Sequence, residues 1–143
     1  MANYKKASVV VIAAATGTQV INDSASAATL QFTELTDSAG VFDGETFTTP
    51  YTGFYQFNFS LGWGAGITQS AGFVALQKVS PFTTVAYLLN GAAGSGAIQN
   101  VSRVVRLIKG DEIRLFCSQT TGDVRTPTTN FTTLSIVRVA NAS

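Results

Sequence analysis

In residues 53–63 large apolar side chains recur at every second position from Tyr55 to Trp63, and this constrains the fold more than any other stretch of the chain. Tyr55, Phe57, Phe59, Leu61 and Trp63 fall on one face, with Gln56, Asn58 and Ser60 on the other. A strand with one face in a core produces that pattern, because successive side chains of extended backbone point to opposite sides. No run of 10 or more residues carries an i, i+3, i+4, i+7 apolar stripe with capping signals, so helix is nearly excluded. Further β-rich runs are read at 8–14, 28–35, 73–79, 83–89, 101–107, 112–118 and 131–139. Asp43-Gly44, Asn90-Gly91, Lys109-Gly110-Asp111 and Thr121-Gly122-Asp123 supply the turns between runs. Short strands with tight turns and no crossover helices predict an all-β antiparallel sandwich, a jelly roll of about ten strands.

Composition narrows what such a sandwich can do. A length of 143 residues supports one domain, read as an arm at 1–7 followed by a single unit at 8–143. Charged residues make up only 12% and hydrophobic residues 45%, which excludes charge-driven disorder and implies apolar surface to be covered. A net charge of +1 is too balanced for a protein that lives on phosphate neutralisation, so no nucleic-acid partner is expected. The absence of histidine removes imidazole ligands, histidine bases and histidine-dependent triads. The lone Cys117 cannot form an internal disulfide or a thiolate cluster, and its alternation with Ile113 and Leu115 reads as a small core hydrophobe. Lys5 and Lys6 ahead of the apolar run 7–15 imitate a secretory signal, but Val9, Val10, Val11 and Ile12 suit a strand better. No stretch reaches the 18 apolar residues of a membrane span, and a soluble protein without membrane contact is expected.

Candidate chemical groups each have a plainer reading. Asp37, Asp43 and Glu45 share one loop and could offer oxygens to calcium, but they lack the ligand spacing of a calcium loop and read as solvated turn acids. Asp111 and Glu112 are adjacent on extended backbone, point apart and cannot share a proton. Gly91, Gly94 and Gly96 lack the strand-to-helix context and the lysine of a phosphate loop. Asn22, Asn58, Asn100 and Asn130 each open an Asn-x-Ser/Thr triplet, with Asn58 in mid-strand. Trp63, before Gly64-Ala65-Gly66, could cap a sugar-binding surface but reads as the end of its strand's core face. No catalytic group, no metal site and no cofactor is predicted, and the chain is read as a non-enzyme.

The order of these pieces resembles the jelly-roll family of tumour necrosis factor and the globular heads of complement first component q. The resemblance rests on the early strand at 8–14, on Thr29-Leu30-Gln31-Phe32-Thr33-Glu34-Leu35, and above all on the segment from Phe47 through Pro50, Gly53 and Tyr55 to Phe57, where a Pro-x-x-Gly turn leads into an aromatic strand. Tyr87-Leu88-Leu89-Asn90-Gly91, the Lys109-Gly110-Asp111 turn between Leu107 and Leu115, and Asn130-Phe131-Thr132-Thr133-Leu134 extend it over nearly the whole chain. The glycine usual after the closing aromatic pair is absent. The resemblance implies a homotrimer, for which Phe73, Tyr87, Phe116 and Phe131 are the candidate interface residues.

A first strand within about eight residues of Met1 suggests a free-standing head. A cysteine-poor, histidine-free jelly roll of this size is similar to the cement proteins that phages add as trimers to capsids. The expected role is therefore a capsid decoration protein at the virion surface, assembled in the host cytoplasm, with the major capsid protein and its own copies as partners. Tyr4, Lys5 and Lys6 form the candidate capsid-binding arm. The alternative is the receptor-binding head of a phage tail or head fibre, or a secreted trimeric ligand-binding module.

Overall fold

A computed structural model describes residues 8–22, 24–63, 72–80, 82–90, 98–119 and 124–142. Ten strands run through them: β1 Val10–Ala15, β2 Ser24–Thr29, β3 Phe32–Asp37, β4 Thr46–Thr48, β5 Gly53–Gly62, β6 Gly72–Val79, β7 Phe82–Asn90, β8 Ile98–Leu107, β9 Glu112–Gln119 and β10 Thr133–Asn141. Among the described residues no helix occurs. Every pairing is antiparallel. One sheet has the order β3-β1-β10-β5-β8, and the second β2-β9-β6-β7 with β4 also on β9. Antiparallel strands in two layers with such long-range neighbours make a jelly roll.

The alternation of β5 drives the sandwich together. Tyr55, Phe57 and Leu61 have no exposed surface and Phe59 and Trp63 almost none, while Phe54 and Asn58 on the other face are exposed. From the opposite sheet Phe47 meets the Tyr55 ring edge-on at 5.6 Å and the Phe57 ring at 6.0 Å, which is the geometry that aromatic quadrupoles favour. Val11, Phe32, Leu134 and Ile136 add to the first sheet's contribution, and Val74, Leu76, Ile113 and Leu115 to the second's. Cys117 lies in this core with no exposed surface, and burial pushes its thiol up to about 12, so it acts as a small hydrophobe. At the start of β5, a Cβ on Gly53 would lie 2.6 Å from the Ala140 carbonyl oxygen; only glycine lets β10 pass there.

The structure corrects one expected element. Residues 28–35 do not form a single strand: β2 ends at Thr29 and pairs with β9, whereas β3 begins at Phe32 and pairs with β1 in the other sheet. The chain changes layer at Leu30 and Gln31. Leu30 is buried and its N–H donates to the Leu115 carbonyl, while the Gln31 N–H donates to the Gln19 side chain and the Phe32 N–H to the Gly44 carbonyl. Partners distant in sequence therefore turn a corner that local β-propensity reads as continuous.

Candidate assembly face

The outward face of the five-stranded sheet is the most unusual surface of the molecule. Its central strands present Val10, Ile12 and Ala14 from β1, Thr133, Ser135 and Val137 from β10, and Phe54, Gln56, Asn58 and Ser60 from β5, none of them charged. On the edge strand β8 the outward residues Asn100, Ser102 and Val104 continue the uncharged field, which ends at Arg106 beside Phe54. The hydroxyls and amides bond to one another along the sheet. Ser102 Oγ donates to Asn58 Oδ1 at 2.6 Å, Asn58 Nδ2 donates to Ser135 Oγ at 3.4 Å, and Ser60 Oγ donates to the Phe131 carbonyl at 2.7 Å. A shallow depression of about 430 Å³ runs over Ile12, Asn58, Ser102 and Ser135. A surface meant for bulk water normally carries charges of both signs, and its depletion in charge is the compositional mark of an interface core.

The other anticipated sites are more dispersed. Met1–Ala7, with Tyr4, Lys5 and Lys6, lies outside the described residues, as do 64–71 and 91–97. Phe73 and Tyr87 belong to β6 and β7, in the second sheet, and their side chains are also outside the description. Phe116 is half-buried on β9, opposite Ala75, in that same sheet. Phe131 is 52% exposed in the turn before β10, and its carbonyl caps Ser60 at the border of the uncharged face. Asn58 and Ser135 were not singled out by sequence reasoning for assembly, although the missing charge on the polar side of β5 was the available signal.

The acidic loop is built for structure. Asp37 accepts the N–H groups of Ala39 at 3.2 Å and Phe42 at 2.8 Å, and Asp43 Oδ1 accepts those of Glu45 at 2.9 Å and Thr46 at 2.7 Å. Glu45 accepts Gln31 Nε2 at 3.1 Å. Carboxylates engaged in backbone capping are poorly placed to surround calcium, and among the described residues no group of three or more His, Cys, Asp or Glu is arranged to hold a metal ion. Asp111 pairs with Lys78 at 2.8 Å and accepts the Ile108 N–H, which ties the β8–β9 turn to β6.

These contacts set an acid limit on stability. The Thr46 and Glu45 N–H groups hold the Asp43 carboxyl below its ordinary 3.8. Burial raises Asp111, but the Lys78 hydrogen bond, the Ile108 N–H and the Lys78 charge together bring it below 3.8. A carboxyl lowered in the folded state contributes stability that is present above the unfolded value and is lost as pH falls through the folded one. Unfolding midpoints should therefore be flat from neutral pH to about pH 5 and fall below pH 4, and Asp43→Ala should flatten that acid limb.

The chain matches no protein-family model and no curated protein sequence. Among solved structures it is similar to murine APRIL at pH 5.0, with a TM-score of 0.68 and 13% identity over 92% of this chain and 99% of that one. It is likewise similar to Eiger TNF from S. frugiperda, with a TM-score of 0.71 and 12% identity over 95% of each chain. The fold is the tumour necrosis factor jelly roll. In this jelly roll the Pro50-to-Gly53 turn delivers β5 into the five-stranded sheet between β10 and the edge strand β8, and Tyr55 Oη locks the turn by donating to the Tyr51 carbonyl at 2.6 Å.

Proposed function

We propose that the protein is a non-enzymatic structural module, a homotrimeric jelly-roll head that decorates and stabilises a phage capsid shell by binding the major capsid protein. One observation carries the self-association: strands β1, β10, β5 and β8 of the five-stranded sheet turn an uncharged, mixed polar and apolar face outward, from Ile12 across Ser135 and Asn58 to Ser102. Three such faces around an axis would cover one another and leave the charged residues outside. The scarcity of reactive groups, with no histidine and a single cysteine buried in the core, supports a role exercised through surface contacts. The arm at 1–7 precedes Val9, whose carbonyl accepts the Arg138 N–H at the end of the sandwich that carries the β4–β5 and β8–β9 turns. On this reading Tyr4, Lys5 and Lys6 dock at that end.

Light scattering should give about 45 kDa, three times the chain's 15.0 kDa; a monomer at micromolar concentration removes the trimer. Deleting residues 2–7 should leave the fold intact and lower occupancy on purified particles that lack the protein. Copy number per virion in proportion to the shell subunits supports decoration. The few copies of a fibre would favour the receptor-binding head instead.

A further inference from the structure

The end of the sandwich where β1 enters carries a depression that its own residues do not complete. About 410 Å³ lies between the loop that bears Val41 and Asp43 and the β4–β5 and β8–β9 turns, which contribute Pro50 and Lys109. Val41 and Pro50 are half-buried and give it apolar walls. Thr49, which also lines it, is 1% exposed; its N–H donates to the Asp111 carbonyl and its own carbonyl accepts the Gly110 N–H, but its hydroxyl has no hydrogen-bond partner among the described residues. A buried hydroxyl left unpaired is costly, and a polar group laid over it would remove the cost. The chain enters beside this depression. Ser38 Oγ donates to the Ser8 carbonyl at 3.3 Å and accepts the Val10 N–H at 2.9 Å, and Gly40, at the rim, is two residues further on. Residue 4 is thus four residues from an anchor near the rim, a reach of up to about 14 Å in extended chain. Charge fits as well. Lys5 and Lys6 are the only basic residues before Lys78, and the loop wall carries Asp43, which uses Oδ1 for its contacts to the Glu45 and Thr46 N–H groups and leaves Oδ2 for a cation. Lys109 belongs to the opposite wall.

We propose that residues 1–7 fold back over their own protomer and occupy this depression, with Tyr4 between Val41 and Pro50 and Lys6 against Asp43. Extended chain turns alternate side chains to opposite sides, so Tyr4 and Lys6 share the inward face and Lys5 points away. The Tyr4 ring covers the apolar walls, and its hydroxyl is the group that completes Thr49 Oγ1. Lys6, nearer to Ser8, passes the acidic loop before the chain reaches the turn that bears Lys109. Terminal segments stay ordered only where something ties them down, and this contact supplies the tie within one chain. It needs neither a second copy nor a shell, so it does not depend on the capsid reading; on a shell, Lys5 is the arm's outward charge.

Amide resonances of the isolated protein test the contact. Deleting residues 2–7, or Tyr4→Ala, should shift the Gly40, Thr48 and Gly110 amides in the same direction and speed their hydrogen exchange about fivefold, because the depression then opens to water. Lys6→Glu should give part of that shift at low salt and less at high salt, whereas Lys5→Glu should give none. Circular dichroism melts establish that each variant folds. Position is read by a photoreactive side chain: Tyr4→benzoylphenylalanine, irradiated in dilute solution, should attach within 41–50 of its own chain. Resonances that ignore the deletion overturn the docked arm, as does attachment elsewhere or a covalent dimer. Equal responses to Lys5→Glu and Lys6→Glu overturn the inward and outward assignment. None of these readouts uses particles, so the capsid reading is judged separately by occupancy.

Discussion

Tyr55→Ala is expected to lower the unfolding free energy by about 3–5 kcal/mol, the range for deleting a buried aromatic side chain. Tyr55 has no exposed surface, packs edge-on against Phe47 at 5.6 Å, and so joins the two sheets near the middle of the core. Its hydroxyl also fixes the preceding turn through the Tyr51 carbonyl, which Tyr55→Phe tests separately at a cost of about 1 kcal/mol. Urea denaturation at one protomer concentration measures both, since any assembly makes stability depend on concentration. Truncation costing less than about 1 kcal/mol would mean that the sheets are held together elsewhere.

Asn58→Lys should convert a 45 kDa assembly, three times 15.0 kDa, into folded monomers. Asn58 sits in the middle of β5's outward face, flanked by Ser135 on β10 and Ser102 on β8. In the free protomer it is exposed, so a lysine there meets water and the monomer's melting temperature should change little. At a three-fold interface the substitution brings three ammonium groups together away from water, where each uncompensated ion costs several kcal/mol. Light scattering and a thermal melt on the same sample read both effects. A persisting trimer would move the contact to another face, and a collapsed melting temperature would mark Asn58 as a folding residue.

The sequence and the structure agree where a local pattern is coupled to one-sided burial. The alternation of β5 was legible because a slip of one residue would expose Tyr55, Phe57 and Phe59 together. The corner at Leu30 and Gln31 was not legible, since alanine, threonine, leucine and phenylalanine at 28–35 all tolerate extended backbone and the decision belongs to Leu115, Gln19 and Gly44. The uncharged face was half visible. Gln56, Asn58 and Ser60 read as the wet side of a strand, and only the register that sets Asn58 against Ser135, 77 residues away, shows that the neighbouring strands are uncharged too.

The neighbourhood of β1 and β10 has a mechanical consequence. The two strands are antiparallel, and Val10 lies opposite Val137, so both leave the sheet at the same end. Tension applied between the two termini would load the ladder in peeling geometry, opening Val10 from Val137 first and then each pair in turn, and never straining all the bonds together. A jelly roll connected this way resists little when pulled by its two ends, yet it holds when tension enters through one terminus and leaves through the opposite pole near Trp63, where β5 must be dragged lengthwise between β10 and β8.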